Sequence, residues 1–206
     1  MRVEPVEKWV EPFAGVAGVG SVLCHGAARK APIARQGNKT RYSPAILQAM
    51  GLRPRQGAKK IILNDLDPDV VNLWQCLTDS DKKRGVAKHL INWISCPIHK
   101  TGPAPSTCPH CYGTGRQNTY ALWQNLNSLQ PKTPIERAAR YTALITRSRF
   151  GNLKTKAFQA RKIAQTDIHS PNNGSGKSYE STVKQILHEW FQGVDIQITS
   201  KPFNEL

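Results

Sequence analysis

The sequence predicts an α/β fold, and three observations carry that prediction. A short apolar run at Trp9 and Val10 passes through Glu11-Pro12-Phe13 and breaks into glycines at Gly15, Gly18 and Gly20, the order of a strand, a tight turn and a helix start. A second apolar run, Lys60-Ile61-Ile62-Leu63-Asn64, ends in Asp65-Leu66-Asp67-Pro68. Helical patterns then follow until a last alternating stretch, Val194 to Thr199, which reads as a strand. Glycine supplies positive φ in the turn and lets a ligand approach the backbone, and exposed N–H groups at a helix start favour an electronegative group. A carboxylate at the tip of the neighbouring strand can accept hydrogen bonds from ribose hydroxyls.

Bulk composition narrows the class. The 206 residues, 39% of them hydrophobic, suffice for one domain with a real core and a small appendage. No apolar run approaches the ~20 residues of a membrane span, and no basic-then-apolar leader opens the chain, so the expected location is cytoplasmic and no membrane is expected as partner. The net charge of +15 fits a polyanion contacted through its phosphates. Five cysteines without a leader point to thiols or metal ligands in a reducing compartment.

The elements follow in order. The first eight residues are polar and predict nothing definite, and the helix after the glycine turn should run to about Cys24 or Gly26. Arg29 to Gln36 reads as a basic loop containing Pro32, followed by Gly37-Asn38-Lys39. Ser43 as N-cap, Pro44 at the first helical position and Gly51 as stop define a short helix. Asp67 and Pro68 start the next one, with Val70, Val71, Trp74 and Leu77 facing the core. Ser80 to Ile94 carries an apolar stripe at Val86, Leu90 and Trp93. Its basic start, Lys82-Lys83-Arg84, opposes the helix dipole and so suggests solvation or DNA contact.

Two knuckles follow. Cys96-Pro97-Ile98-His99 and Cys108-Pro109-His110-Cys111 offer three thiolates and one imidazole, the set that closes a tetrahedral structural zinc site. The expected ligands are Cys96, His99, Cys108 and Cys111, with His110 as an alternative; a redox Cys-x-x-Cys pair or free thiols are the competing readings. Tyr120 to Leu129 reads as a helix, and Thr133-Pro134-Ile135-Glu136 is a capping box that opens another. Between Arg147 and Lys162 every charge is positive, with Phe150 and Phe158 interleaved; Arg147, Arg149, Asn152, Lys154, Lys156, Arg161 and Lys162 are the candidate DNA contacts. A polar loop rich in Asn and Gly precedes an amphipathic helix from Tyr179 to Phe191, closed by Gly193.

Val10-Glu11-Pro12-Phe13-Ala14-Gly15-x-Ala17-Gly18 followed by Leu63-Asn64-Asp65-x-Asp67-Pro68-Asp69 resembles the Dam-type DNA adenine-N6 methyltransferases. The resemblance implies a partial Rossmann-like fold that binds S-adenosylmethionine, with a helical recognition region and a small zinc-knuckle insert. It implies that Phe13, Gly15 and Gly18, with Glu11 and Pro12, shape the methionine end of the site and that Asp65 holds the ribose. Gly37-Asn38-Lys39 is similar to a further family motif whose lysine reaches the cofactor, here placed after the glycine turn where Dam itself has it before. The Arg-Ala-rich helix leading to Phe150-Gly151-Asn152 is similar to the family segment that precedes DNA recognition. The expected organisation is a cofactor-binding part (1–94), the insert (95–118), a helical DNA-recognition region (119–178) and a return to the core (179–206).

One departure limits the resemblance. The family's catalytic Asp-Pro-Pro-Tyr loop, whose polar groups hold the adenine amino group and whose ring stacks on the flipped base, is absent, and Ser200-Lys201-Pro202-Phe203 lacks its first proline. The expectation is therefore an incomplete adenine methyltransferase acting on double-stranded DNA in a bacterial or phage-infected cell. The catalytic loop is then either cut off or supplied by a second polypeptide. The alternatives are a non-catalytic, zinc-containing DNA-binding protein on the same scaffold and, less favoured by the motifs, an RNA methyltransferase.

Overall fold

The computed structural model describes residues 4–15, 17–26, 42–99, 105, 107–108, 119–147 and 177–206, with the backbone alone for 119–121, 147 and 177–180. Its centre is a parallel sheet of β1 (Val6–Glu11), β2 (Ala58–Asn64) and β3 (Asp195–Thr199), in the order β1-β2-β3. Trp9 lies opposite Ile61, and Ile61 opposite Ile196. Parallel neighbours need crossovers rather than hairpins. The first crossover contains α1 (Gly18–His25) and α2 (Ser43–Ala49). The second contains α3 (Pro68–Leu77), α4 (Ser80–Ile94), α5 (Thr119–Ser128), α6 (Pro134–Arg147) and α7 (Lys177–Ile186). The α/β expectation holds: the chain is mixed α/β with a small parallel sheet.

Local chemistry explains where the helices begin. The Asp67 carboxylate accepts from the Asp69 N–H at 2.9 Å, and Pro68 occupies the first turn of α3. The Asp79 side chain accepts from the N–H groups of Asp81 and Lys82 at the start of α4. The capping box of α6 is present in altered form. The Glu136 N–H donates to Thr133 Oγ1 at 3.1 Å, while the Glu136 carboxylate reaches the N–H of Lys132 rather than that of Thr133. One continuous core joins the sheet to α1, α3, α4, α5, α6 and the chain after α7, with Trp74, Leu73, Leu63, Ile61, Leu90 and Phe191 fully buried within it.

Several sequence expectations need correction. β1 begins at Val6, inside the stretch that the polar composition had left blank, because pairing with Ala58 to Leu63 supplies its backbone partners. In α2, Tyr42 is the N-cap and Ser43 is buried as the first residue of the helix, which therefore starts one residue earlier than the capping pattern suggests. Lys83 is not a solvated cation at the start of α4: it is buried, and its ammonium donates to Glu189 beyond α7. The last helix stops at Ile186 rather than Phe191. There the chain turns back, Phe191 adopts φ 56°, and the Trp190 indole N–H donates to the Gln185 carbonyl at 3.0 Å. This turn buries both Trp190 and Phe191 against Trp74.

Candidate functional site

The site grows out of the C-terminal ends of β1 and β2. Between β1 and α1 the chain reverses through Gly15 at φ 44° and Ala17 at φ 49°, both in the left-handed region. Both polar groups of Gly15 are held. Its N–H donates to Asp65 Oδ2 at 3.0 Å, and its carbonyl accepts from the Trp74 indole N–H at 2.9 Å. Asp65 Oδ1 also accepts from the Asp67 N–H at 3.0 Å. The carboxylate at the tip of β2 therefore faces the glycine turn, as the two motifs imply. A carboxylate so placed is of the chemical type that accepts hydrogen bonds from hydroxyls.

The start of α1 behaves differently from the sequence expectation. Its free N–H groups were expected to face an electronegative ligand; instead Glu11, at the end of β1, turns its carboxylate into the helix. The Val19 N–H donates to Glu11 Oε1 at 3.3 Å and the Gly20 N–H to Oε2 at 2.8 Å. The side chain is buried, and its carboxyl group caps the positive end of α1. A Cβ on Gly20 would lie 3.0 Å from Glu11 Oε2, which explains the glycine at that position.

Asn64 was not singled out from the sequence, yet it joins the ends of all three strands. Its amide N–H groups donate to the carbonyls of Pro12 (3.1 Å) and Lys201 (3.0 Å). Its Oδ1 accepts from Thr199 Oγ1 and from the Lys201 N–H, both at 2.8 Å. Phe13 and Phe203 stand on the loops it ties. They are 60% and 69% exposed, with ring centroids 6.3 Å apart and planes 7° from parallel. Leu66, next to Asp65, is also exposed. An exposed apolar group of this kind, beside an acid and a glycine turn, suits a ligand with a flat apolar part and hydroxyls. No local signal in the apolar run of β2 marks Asn64, because the partners that satisfy its amide, Pro12, Thr199 and Lys201, are remote in sequence.

A second site lies beyond α4. Cys96 Sγ is 3.9 Å from Cys108 Sγ and 3.5 Å from His99 Nδ1, and both sulfurs are buried. The three ligand atoms lie within 4.8 Å of one another. A tetrahedral zinc with Zn–S of about 2.3 Å and Zn–N of about 2.0 Å would separate its sulfurs by about 3.8 Å and a sulfur and nitrogen by about 3.5 Å. The donor set fits a metal in both geometry and softness. Burial pushes the remaining described thiols, Cys24 and Cys76, above the ordinary cysteine value, which disfavours their thiolate forms.

Of the expected cofactor residues, the structure brings Glu11, Pro12, Phe13, Gly15, Gly18 and Asp65 to one end of the sheet; Lys39 lies outside the described residues. Cys111 and the alternative ligand His110 lie outside them as well. So do Arg149, Asn152, Lys154, Lys156, Arg161 and Lys162, while Arg147 is described only as the last backbone position of α6. No helix of the described residues is long and apolar enough to cross a membrane. Comparison with protein-family models and with curated proteins gave no match.

Proposed function

We propose that this chain is the cofactor-binding and recognition part of an S-adenosylmethionine-dependent DNA adenine-N6 methyltransferase with a Rossmann-like core. The observation that carries the reading is the Asp65 carboxylate held against Gly15 at the paired ends of β1 and β2. A nucleoside lying there would meet an acceptor for its ribose hydroxyls at Asp65 and a backbone turn open to its sulfonium arm. Phe13, which the resemblance sets at the methionine end, stacks beside Phe203, and with Leu66 the two rings offer exposed apolar groups to its base. The reaction would be direct attack of the N6 of a flipped adenine on the methyl group, in the cytoplasm of a bacterial or phage-infected cell.

Catalysis needs groups that residues 1–206 do not carry in the familiar form, since no Asp-Pro-Pro-Tyr is present. Among the described residues β1 has a strand neighbour on one side only. A further parallel strand along that edge, whichever polypeptide carries it, would end beside Phe13 and the glycine turn. Double-stranded DNA is the partner that the charge of +15 and the Arg147–Lys162 stretch favour. The Cys96–His99–Cys108 group would hold a structural zinc with Cys111 as fourth ligand, leaving no open position for catalysis.

Isothermal titration tests the cofactor claim: S-adenosylmethionine and S-adenosylhomocysteine bind the wild-type protein, and Asp65→Ala weakens both by at least tenfold. Absence of heat from folded protein would remove the claim. The missing loop favours a second reading, a non-catalytic DNA-binding protein on this scaffold. Methyl incorporation into adenine-containing DNA by this chain alone eliminates it.

A further inference from the structure

We infer that Asn64 is a positioning residue that sets the Phe13–Phe203 pair as a stacking platform for the base of a nucleoside ligand. This rests on the ligand-binding reading above and adds to it the residue that governs how firmly the flat part of the ligand is held. An asparagine amide has two N–H donors and an oxygen with two lone pairs. All four places are taken: Pro12 and Lys201 carbonyls on the nitrogen, Thr199 Oγ1 and the Lys201 N–H on the oxygen. The Asn64 main-chain carbonyl also accepts from the Ala14 N–H at 2.7 Å. The peptide groups on both sides of Phe13 are thus fixed by one residue, and so are both polar groups of Lys201, two positions before Phe203.

The rings these stems carry are not part of the core. Each is more than half exposed, yet their planes differ by only 7°. Exposed aromatic groups on unconstrained loops have no reason to stay parallel, whereas a base stacks on a flat face and loses less entropy when that face is already set. The next residue, Asp65, fixes the Gly15 N–H. Asn64 and Asp65 would therefore order the base end and the ribose end of one ligand from adjacent positions. Asp at 64 would lack both donors and Leu all four partners, so the position requires an amide.

A double-mutant cycle on binding of S-adenosylhomocysteine separates positioning from mere stability. Phe203 is exposed, so Phe203→Ala should leave the fold intact and weaken binding by about tenfold. Asn64→Ala weakens binding similarly, but in the Phe203→Ala background it adds less than threefold, because the group it positions is gone. Should Asn64→Ala fail to fold, Thr199→Val removes a single bond to Asn64 Oδ1; it should weaken binding about threefold in wild type and not measurably in Phe203→Ala. Effects that multiply in the double variant overturn the inference while leaving the ligand site standing. Failure of folded wild-type protein to bind overturns both.

Discussion

Removing the Glu11 carboxylate is the sharpest test of how the glycine turn is held. Glu11→Ala leaves the N–H groups of Val19 and Gly20 without their acceptor at a position where the side chain was buried. Hydrogen bonds to a charged group contribute about 1.5–3 kcal/mol each, and an anion at a helix N-terminus adds about 0.3–1 kcal/mol. With partial rehydration of the exposed N–H groups, the loss should be about 3 kcal/mol. Glu11→Gln keeps an oxygen acceptor without the charge and should lose about half of that. Gly20 provides a sign test. Alanine there gains about 1 kcal/mol of helix propensity, but its Cβ would sit 3.0 Å from an Oε2 that cannot retreat without stretching a 2.8 Å bond. Gly20→Ala should therefore destabilise the wild type and stabilise Glu11→Ala. Equilibrium urea unfolding followed by tryptophan fluorescence measures all five proteins. A Gly20→Ala effect of the same sign and size in both backgrounds, or a Glu11→Ala loss under about 0.5 kcal/mol, would refute the capping argument.

The other tests address separate parts of the molecule. Purified, reduced protein should carry about one equivalent of zinc by elemental analysis; Cys96→Ser or Cys108→Ser should abolish it, and a chelator should lower the melting temperature of wild type but not of either variant. Glu189, whose carboxyl is held below its ordinary value by the hydrogen bond from Lys83, contributes stability that is present above the unfolded carboxyl pKa and lost as pH falls through the lower folded value. Melting curves from pH 6 down to about 3 should therefore fall more steeply for wild type than for Glu189→Gln; parallel curves would show that the pair contributes nothing. Cys24 and Cys76, with thiols pushed up by burial, should resist alkylation at about pH 7.5 in folded protein and react on unfolding, as peptide mass spectrometry would show.

The legible parts of this chain were those written in local chemistry. Asp67-Pro68 and Thr133-Pro134-Ile135-Glu136 mark helix starts because a cap and its N–H partners lie within a few residues, and α3 and α6 begin there. The Gly15–Asp65 relation was legible because two strand-end motifs needed to meet for either to be useful, and their strands pair. What failed was long-range. Nothing near Lys83 in sequence announces Glu189, and nothing around Asn64 announces Pro12 or Lys201. Likewise, amphipathic spacing extends α7 to Phe191, but it is the docking of Trp190 and Phe191 on Trp74 that ends the helix early. Glu11 adds a role that its place in a motif did not announce, since its carboxylate accepts from the first turn of α1.

The two ends of the sheet differ in a way that argues for where a ligand belongs. A cavity of about 430 Å³ opens at the other end, beside the strand starts at Pro5, Ala58 and Val194 and lined also by Cys24, His188 and Glu189. The α1 carbonyls of Val22, Leu23 and His25 accept from Gly26, Gly57 and Arg55, and Glu189 is bound to Lys83. At the Gly15 end the backbone is equally well held, but the residues that project from it are Phe13, Leu66 and Phe203, exposed apolar groups that fold stability alone would bury. A parallel sheet brings its strand-end loops together at one pole only, so exposed rings, a carboxylate and a left-handed turn converge there. The Cys96–His99–Cys108 group, which could hold a metal, follows α4, and its two cysteines form a buried cluster separate from the main core. A metal bound by these three side chains would tie Cys108 back to the end of α4.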